Sequence, residues 1–356
     1  MRRIAFVHLA ASVLASLSFG AVAFAADALK ISGPIVHDNL AIYLVHGSGA
    51  GGDVPLTLEE ALANGTVKVR ETGSVNELTV QNTGTQEVFV QAGDIVKGGR
   101  QDRVLSVDLL LPPQSDEVSI DAFCVEHGRW TARGNEDARQ FSSASAAMPS
   151  HDAKVAMRNF IAAPKAPPPS QPGREPLAYA AGASTGQSQQ EIWSTVSKTQ
   201  DRLSRSVGAP VAAEASPSSL QLSLESEKLK AAQAAYLKAL QGAGEADADI
   251  VGYVFAVNGK IDSGDVYASN ALFRKMWSKL LAANVTEAIG AKDAAGAEAP
   301  SVKDIEAFLA NASTGTLAER AIDSHIHLAT RDGDTSLYAE TRRADGSWAH
   351  RNYLAK

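Results

Sequence analysis

The chain reads as an α+β fold: a β-rich N-terminal half of short, mainly antiparallel strands, a helical middle, and C-terminal strands returning to the sheet. Three observations predict this. Short runs with two-residue alternation, broken by Gly, Asn and Pro, fill residues 30–125. Apolar stripes at helical spacing take over after residue 190, and alternation resumes near residue 325. Strands first, helices next and strands last argue against alternating βαβ units.

The first residues, MRRIAFVHLAASVLASLSFGAVAFAADALK, combine two arginines, a long apolar run and the small residues around Ala23-Phe24-Ala25. This is the layout of a secretory signal peptide, cleaved after Ala25. An uncleaved anchor is the competing reading, since Ile4 to Ala26 is long enough to span a bilayer. Cleavage predicts a periplasmic or secreted chain with no stable membrane insertion. The single cysteine, Cys124, cannot form an intramolecular disulfide, so the fold must stand on its core. With 33 basic and 40 acidic residues and a net charge of −7, the chain offers no basic field for nucleic acid. An anionic small molecule or an exported protein partner is the better expectation.

Residues 26–160 are read as the β-rich part of the domain. Its strands are LAIYLVH (40–46), TVKVRE (66–71), ELTVQN (77–82), EVFVQ (87–91), RVLSVDLLL (103–111) and EVSIDAFCV (117–125). One helix interrupts them: Thr57 and Glu60 have the capping-box spacing, and Gly65 sits where a helix would stop. Residues 161–190 shift toward Pro, Ala, Gly, Ser and Gln and are expected to form an extended connector. Residues 191–356 then form the helical and β C-terminal part of the same domain. Stripes at Ile192, Trp193, Val196 and Leu203, at Leu229, Ala232, Tyr236 and Leu240, and from Leu272 to Leu281 predict three helices packed by those faces. IVGYVFAVNGKIDSGDVYA reads as a hairpin around Asn258-Gly259. HIHLAT, SLYAETR and WAHRNYL, separated by Asp332-Gly333 and Asp345-Gly346, close the chain as strands.

Several motifs invite chemistry. LVHGSGAGGD (44–53) is similar to a glycine-rich oxyanion loop, and Gly182-Ala183-Ser184-Thr185-Gly186 has the form of a nucleophile elbow. The elbow lacks the preceding strand it requires, so Gly47 to Gly52 is read as a surface loop. His325, His327 and Asp323 would share a strand face, but a metal centre needs a fuller ligand set, and neither metal nor cofactor is expected.

The richest stretch is DAFCVEHGRW (121–130). Val118, Ile120, Ala122 and Cys124 share one strand face, which makes Cys124 a core thiol, while Glu126 at the end of that row needs a partner. A hairpin with RVLSVDLLL that sets Leu111 opposite Val118 would bring Leu105 to Cys124 and Arg103 to Glu126, subject to one two-residue register step. AGDIVKGGRQDR adds Asp94, Lys97, Arg100, Gln101 and Asp102, with Gly98-Gly99 allowing a close backbone approach. The candidate ligand-binding residues are therefore Arg100, Gln101, Arg103, Glu126, Arg129 and Trp130, and Glu126 is the candidate catalytic base.

These segments resemble the ARG and rhodanese-phosphatase-superfamily-associated protein family. The resemblance rests on LTLEEALANG (56–65), Gly98-Gly99-Arg100-Gln101, Cys124 to Trp130, VGYVFAVNGKI and the W-x-K-L-L of Trp277 to Leu281, and spans roughly Ile31 to Leu354. Arg100 stands where the family usually has lysine, and His127 where glutamine is common. The resemblance implies no established activity. Three readings stay open: a non-catalytic binding or interaction module with a charged Arg/Glu/Trp rim, a hydrolase or transferase on phosphorylated or ADP-ribosylated substrates with Glu126 as base, or a purely structural motif. The enzyme needs Glu126 open to a pocket, whereas the structural reading needs its carboxylate fully occupied.

Overall fold

A computed structural model describes residues 29–162, 176–292 and 297–356. The proposed signal peptide and residues 163–175 of the connector lie outside the described residues. Chain order runs β1 (Lys30–His37), β2 (Leu40–His46), β3 (Leu56–Thr57), α1 (Leu58–Ala63), β4 (Val67–Glu71), β5 (Glu77–Asn82), β6 (Val88–Val90), β7 (Asp94–Gly98), β8 (Arg103–Leu105), β9 (Leu109–Leu111), β10 (Val118–Cys124) and β11 (Phe141–Ala147). Helices α2 (His151–Ala162), α3 (Pro176–Val207), α4 (Leu220–Leu224) and α5 (Glu227–Leu240) follow, then β12 (Ile250–Val257), β13 (Lys260–Tyr267), α6 (Asn270–Gly290) and α7 (Val302–Ala312). The chain closes with β14 (Thr316–Ala321), β15 (Ile326–Asp332), β16 (Ser336–Arg343) and β17 (Trp348–Ala355).

The strands form three sheets. The largest is antiparallel, in the order β1-β2-β12-β13-β17-β16-β15-β14, so the C-terminal strands do return to a sheet begun at the N-terminus. A six-stranded sheet, β11-β7-β8-β10-β5-β4, and a three-stranded one, β3-β6-β9, complete the β-rich half. Helix α7 packs on one face of the large sheet through Ile305 and Phe308 against Tyr43, Val254 and Tyr353. Helices α5 and α6 cover part of the other face through Tyr236, Leu240, Phe273 and Trp277. From Ala283 to Gly290 every residue of α6 is buried, as expected of a helix enclosed on all sides. Trp277 is core, stacked on Phe255 and seated over Gly244, where a Cβ would lie 2.5 Å from the indole.

Local signals were accurate. Thr57 accepts from Glu60 N–H while Glu60 accepts from Thr57 N–H, closing the predicted capping box of α1. Asn258 and Gly259 both take positive φ, the condition for the tight β12–β13 turn.

Two expectations need correction. RVLSVDLLL is not one strand: it breaks at Ser106-Val107-Asp108, and β8 joins the six-stranded sheet while β9 pairs with β6. Arg103 therefore lies opposite Cys124 and Leu105 opposite Ala122, two residues from the expected register, while Leu111 meets Val88 and Val118 meets Val80. The break turns the Asp108 carboxylate inward, where it accepts from Ala92 N–H at 2.8 Å. The expected extended connector is also helical from Pro176, because α3 docks on β10 at its far end. Gln189 is buried and exchanges two 2.9 Å hydrogen bonds with the backbone of Cys124, acting as a side-chain substitute for a neighbouring strand. The Gly182–Gly186 pentapeptide lies within this helix, so the strand-to-helix turn of an elbow is absent there.

Candidate functional site

Glu126, Asp102 and Arg129 converge and bind one another, while the Arg100 and Trp130 side chains stay exposed. Glu126 is fully buried, with both carboxylate oxygens engaged. Oε2 accepts from Asp102 N–H at 2.9 Å, and Oε1 accepts from Arg129 Nε at 2.6 Å, Ser216 Oγ at 2.5 Å and Arg133 Nη1 at 3.3 Å. Burial works to raise its pKa, but these bonds outweigh it and hold the carboxyl below its usual range. Asp102, equally buried, accepts from Gly98 N–H, from Ser219 Oγ at 2.6 Å and from both terminal nitrogens of Arg133.

The arginines are committed in turn. Arg129 donates from Nη1 to the Gly99 and Thr131 carbonyls and from Nη2 to Gly98. Arg103, 1% exposed, faces Glu71 at 3.3 Å rather than Glu126, and caps the Gln101 carbonyl at 2.9 Å. Arg100 and Trp130 are exposed, and the Arg100 backbone N–H donates to Glu71. Gln101 is buried, with its Nε2 left without a partner, as is Arg103 Nε. The glycines earn their positions: a Cβ on Gly99, at φ +56°, would lie 2.6 Å from the Phe141 ring.

This network ties together the turn after β7, the loop after β10 and the Ser216–Ser219 segment before α4. The carboxylates of Glu126 and Asp102 are buried and each of their oxygens accepts at least one hydrogen bond from within the network. The sequence reading placed Arg100, Gln101, Arg103, Glu126 and Arg129 in one neighbourhood, but missed Arg133, Glu71, Ser216 and Ser219. Cys124 beside it is fully buried, its thiol pushed up to about 11 by burial.

A second polar cluster, unforeseen in the sequence, sits where the large sheet meets the smaller ones. His350 on β17 lies between two carboxylates, Nδ1 at 2.8 Å from Asp108 and Nε2 at 3.0 Å from Asp265 on β13. With both ring nitrogens facing acceptors it is an imidazolium. Burial works to depress its pKa, but Asp108 and Asp265 pull it up to about 9. Thr341 donates to Asp108 at 2.6 Å, Asn352 to Asp265 at 2.9 Å, and Tyr253 also donates to Asp265. Two carboxylates against one imidazolium leave one negative charge, which Arg158 on α2 offsets from nearby.

Arg158 is 8% exposed, and among the described residues its side-chain hydrogen bond is to the neutral amide of Asn352, Nη2 to Oδ1 at 2.7 Å. Burial depresses its pKa, and the pull of Asp108 and Asp265 only partly restores it. It lines a cavity of about 320 Å³ together with Arg331, Thr316, Ala318 and Thr330. A larger cavity of about 520 Å³ shares Ala318 and Thr330 and carries Glu77, Asp121, Glu319 and Arg320. Its lining is acidic on balance, whereas the smaller one has Arg158 and Arg331 against Asp332, which Lys356 already engages.

His325 and His327 are exposed, and Asp323 accepts from the His325 and Ile326 N–H groups as the turn of the β14–β15 hairpin. Among the described residues, the grouping with metal-like spacing is instead His46, Asp247 and Asp249, where His46 already bonds Asp249 and Ser32. No described helix is long and apolar enough to cross a membrane.

Fold and clusters together define an α+β domain whose sheets are joined by buried ion networks. The chain belongs to the ARG and Rhodanese-Phosphatase-superfamily-associated Protein domain family, whose model matches residues 28–354. No curated protein and no solved structure gives a match.

Proposed function

We propose that the chain is a non-catalytic binding module for an anionic group, and that the group sits at Arg158 rather than on the motif from Arg100 to Trp130. The observation that carries this is Arg158. Among the described residues this buried guanidinium hydrogen-bonds a neutral amide, not a carboxylate, beside a cavity, so a bound carboxylate or phosphate would give it the direct charge-assisted partner that Asp108 and Asp265 supply only from a distance. Arg129 and Arg133, by contrast, are engaged by Asp102, Glu126, Glu136 and backbone carbonyls. A hydrolase or transferase using Glu126 loses its support, because a general base needs reach to a substrate proton and Glu126 is enclosed.

Calorimetric titration of the protein with inorganic phosphate at low ionic strength tests the reading. Saturable binding that disappears in Arg158→Met is the expected result; equal binding by wild type and Arg158→Met refutes it. The apolar N-terminal run and its A-x-A site support a further part of the proposal, that the module works in the periplasm or outside the cell. The N-terminal sequence of the exported protein, expected at Ala26, checks that part.

A further inference from the structure

Arg158 also lines a second and smaller space, of about 50 Å³, between α2, α6 and the strands β12, β13 and β17. None of the residues around it is exposed. Lys154 and Arg158, one helical turn apart on α2, line it together with Asn284 of α6, Asp265 of β13 and Asn352 of β17.

Asn284 is 1% exposed, and its amide is only half used. Nδ2 donates to the Leu280 carbonyl at 2.8 Å, which fixes the orientation of the amide, while Oδ1 is buried with no hydrogen-bond partner. A buried acceptor left unpaired costs free energy, so this position calls for a donor. Arg158 calls for the opposite, an acceptor with negative charge, since its Nη2 meets only the neutral Oδ1 of Asn352 among the described residues. Lys154 beside it meets Asp262 at a loose 4.0 Å. The lining thus combines two cationic donors with one bare acceptor.

Size and chemistry narrow the occupant. One water takes about 10–15 Å³ in this measure, so the space takes about four water-sized atoms, the oxygen count of a single tetrahedral oxyanion. Sulfate only accepts hydrogen bonds. It would satisfy Arg158 but leave Asn284 Oδ1 bare and bring its full charge up to the Asp265 carboxylate. Phosphate near neutral pH keeps at least one O–H, so it donates as well as accepts, and its protons lessen the repulsion from Asp265.

We infer that the anion taken by Arg158 is a protonated tetrahedral oxyanion, inorganic hydrogenphosphate, held whole in this space with an O–H donating to Asn284 Oδ1 and its other oxygens accepting from Arg158 and Lys154. Asn284 is then the residue that sets the choice of anion. The inference rests on the anion-binding reading above and names the class of anion that reading leaves open.

The test is a pair of calorimetric titrations of the full chain, with potassium phosphate and potassium sulfate at matched ionic strength and pH 7. Both are repeated on Asn284→Leu, which keeps the side-chain volume and removes the acceptor. Wild type should bind phosphate at least about ten-fold more tightly than sulfate, the difference made by one unpaired buried acceptor. In Asn284→Leu phosphate affinity should fall about ten-fold and sulfate affinity stay within about two-fold, so that the preference closes. Urea midpoints show whether the variant is folded. If it is not, Asn284→Asp takes its place; with acceptors on both oxygens it should widen the preference, and an unchanged preference would overturn the inference. Glycerol phosphate, too large for the space, should bind at least about ten-fold more weakly than inorganic phosphate. Phosphate and sulfate bound equally, and both lost in Arg158→Met, would overturn this inference and leave the anion site standing, whereas binding of neither anion overturns both. A phosphate preference that survives in folded Asn284→Leu removes Asn284 as its source. Glycerol phosphate bound as tightly as inorganic phosphate would assign the site to an ester and contradict an anion held whole.

Discussion

Arg133 meets Asp102 end-on, Nη1 to Oδ2 and Nη2 to Oδ1, both at 3.1 Å. This bidentate pair closes the motif network, since the same guanidinium also reaches Glu126 and Glu136. Removing it takes from buried Asp102 its bidentate cation and from buried Glu126 one of its two guanidinium donors. Arg133→Met is expected to lower unfolding free energy by about 3–5 kcal/mol, the range for breaking a buried pair from one side. Arg133→Lys should recover only part of the loss, because an ammonium cannot reproduce the fork. Urea denaturation of the three proteins checks both statements; a loss under about 0.5 kcal/mol, the size of an ordinary surface change, would contradict them.

The His350 cluster predicts an alkaline limit to stability. Its folded pKa of about 9 lies above the ordinary 6.5, so its contribution is complete below pH 6.5 and is lost as pH rises through about 9. The shift corresponds to about 3 kcal/mol. Asp108 and Asp265 are held below the ordinary 3.8 by the same partners, so their contribution is present above that value and falls away only in acid. Denaturation midpoints measured from pH 5 to 10 should therefore decline above neutrality in the wild type and stay flatter in His350→Gln. Parallel curves would remove His350 as the cause.

Cys124 should be inert in the folded state. A buried thiol raised to about 11 carries almost no thiolate at neutral pH. An aromatic disulfide reagent is expected to label it only at the rate of unfolding, rising with added urea. Stoichiometric labelling within seconds in native buffer would show an open path to the sulfur.

The fold was legible where structure is local. Leu40–His46, the Thr57 cap and the Asn258-Gly259 hairpin each announce themselves within a few residues, and the structure places them as read. β14 was not read as a strand, because the Ala, Glu and Arg of TLAERA carry no β preference and the strand holds by pairing with β15. The motif neighbourhood was legible through strand alternation, yet its register was off by one step, since Asp108 turning inward cuts the strand that the apolar pattern continues. Arg133 left no signal: it sits in a turn beyond Trp130 where no period applies. Asp108 and His350 stand 242 residues apart, His350 on the large sheet and Asp108 between strands of the two smaller ones, so their meeting is a property of how the sheets pack. A faint hint existed, for His350 and Asn352 share the inward face of β17 with Leu354, and inward polar residues require partners.

The central claim is that the family motif holds the fold while ligand binding lies elsewhere, at Arg158. Glu126→Gln separates the two. Its urea midpoint and its calorimetric affinity for inorganic phosphate should be measured together. The account predicts a destabilisation of about 2–4 kcal/mol from uncoupling Arg129 and Arg133, with phosphate affinity unchanged within a factor of about two. A variant as stable as the wild type that has lost phosphate binding would place the site in the motif and contradict the account.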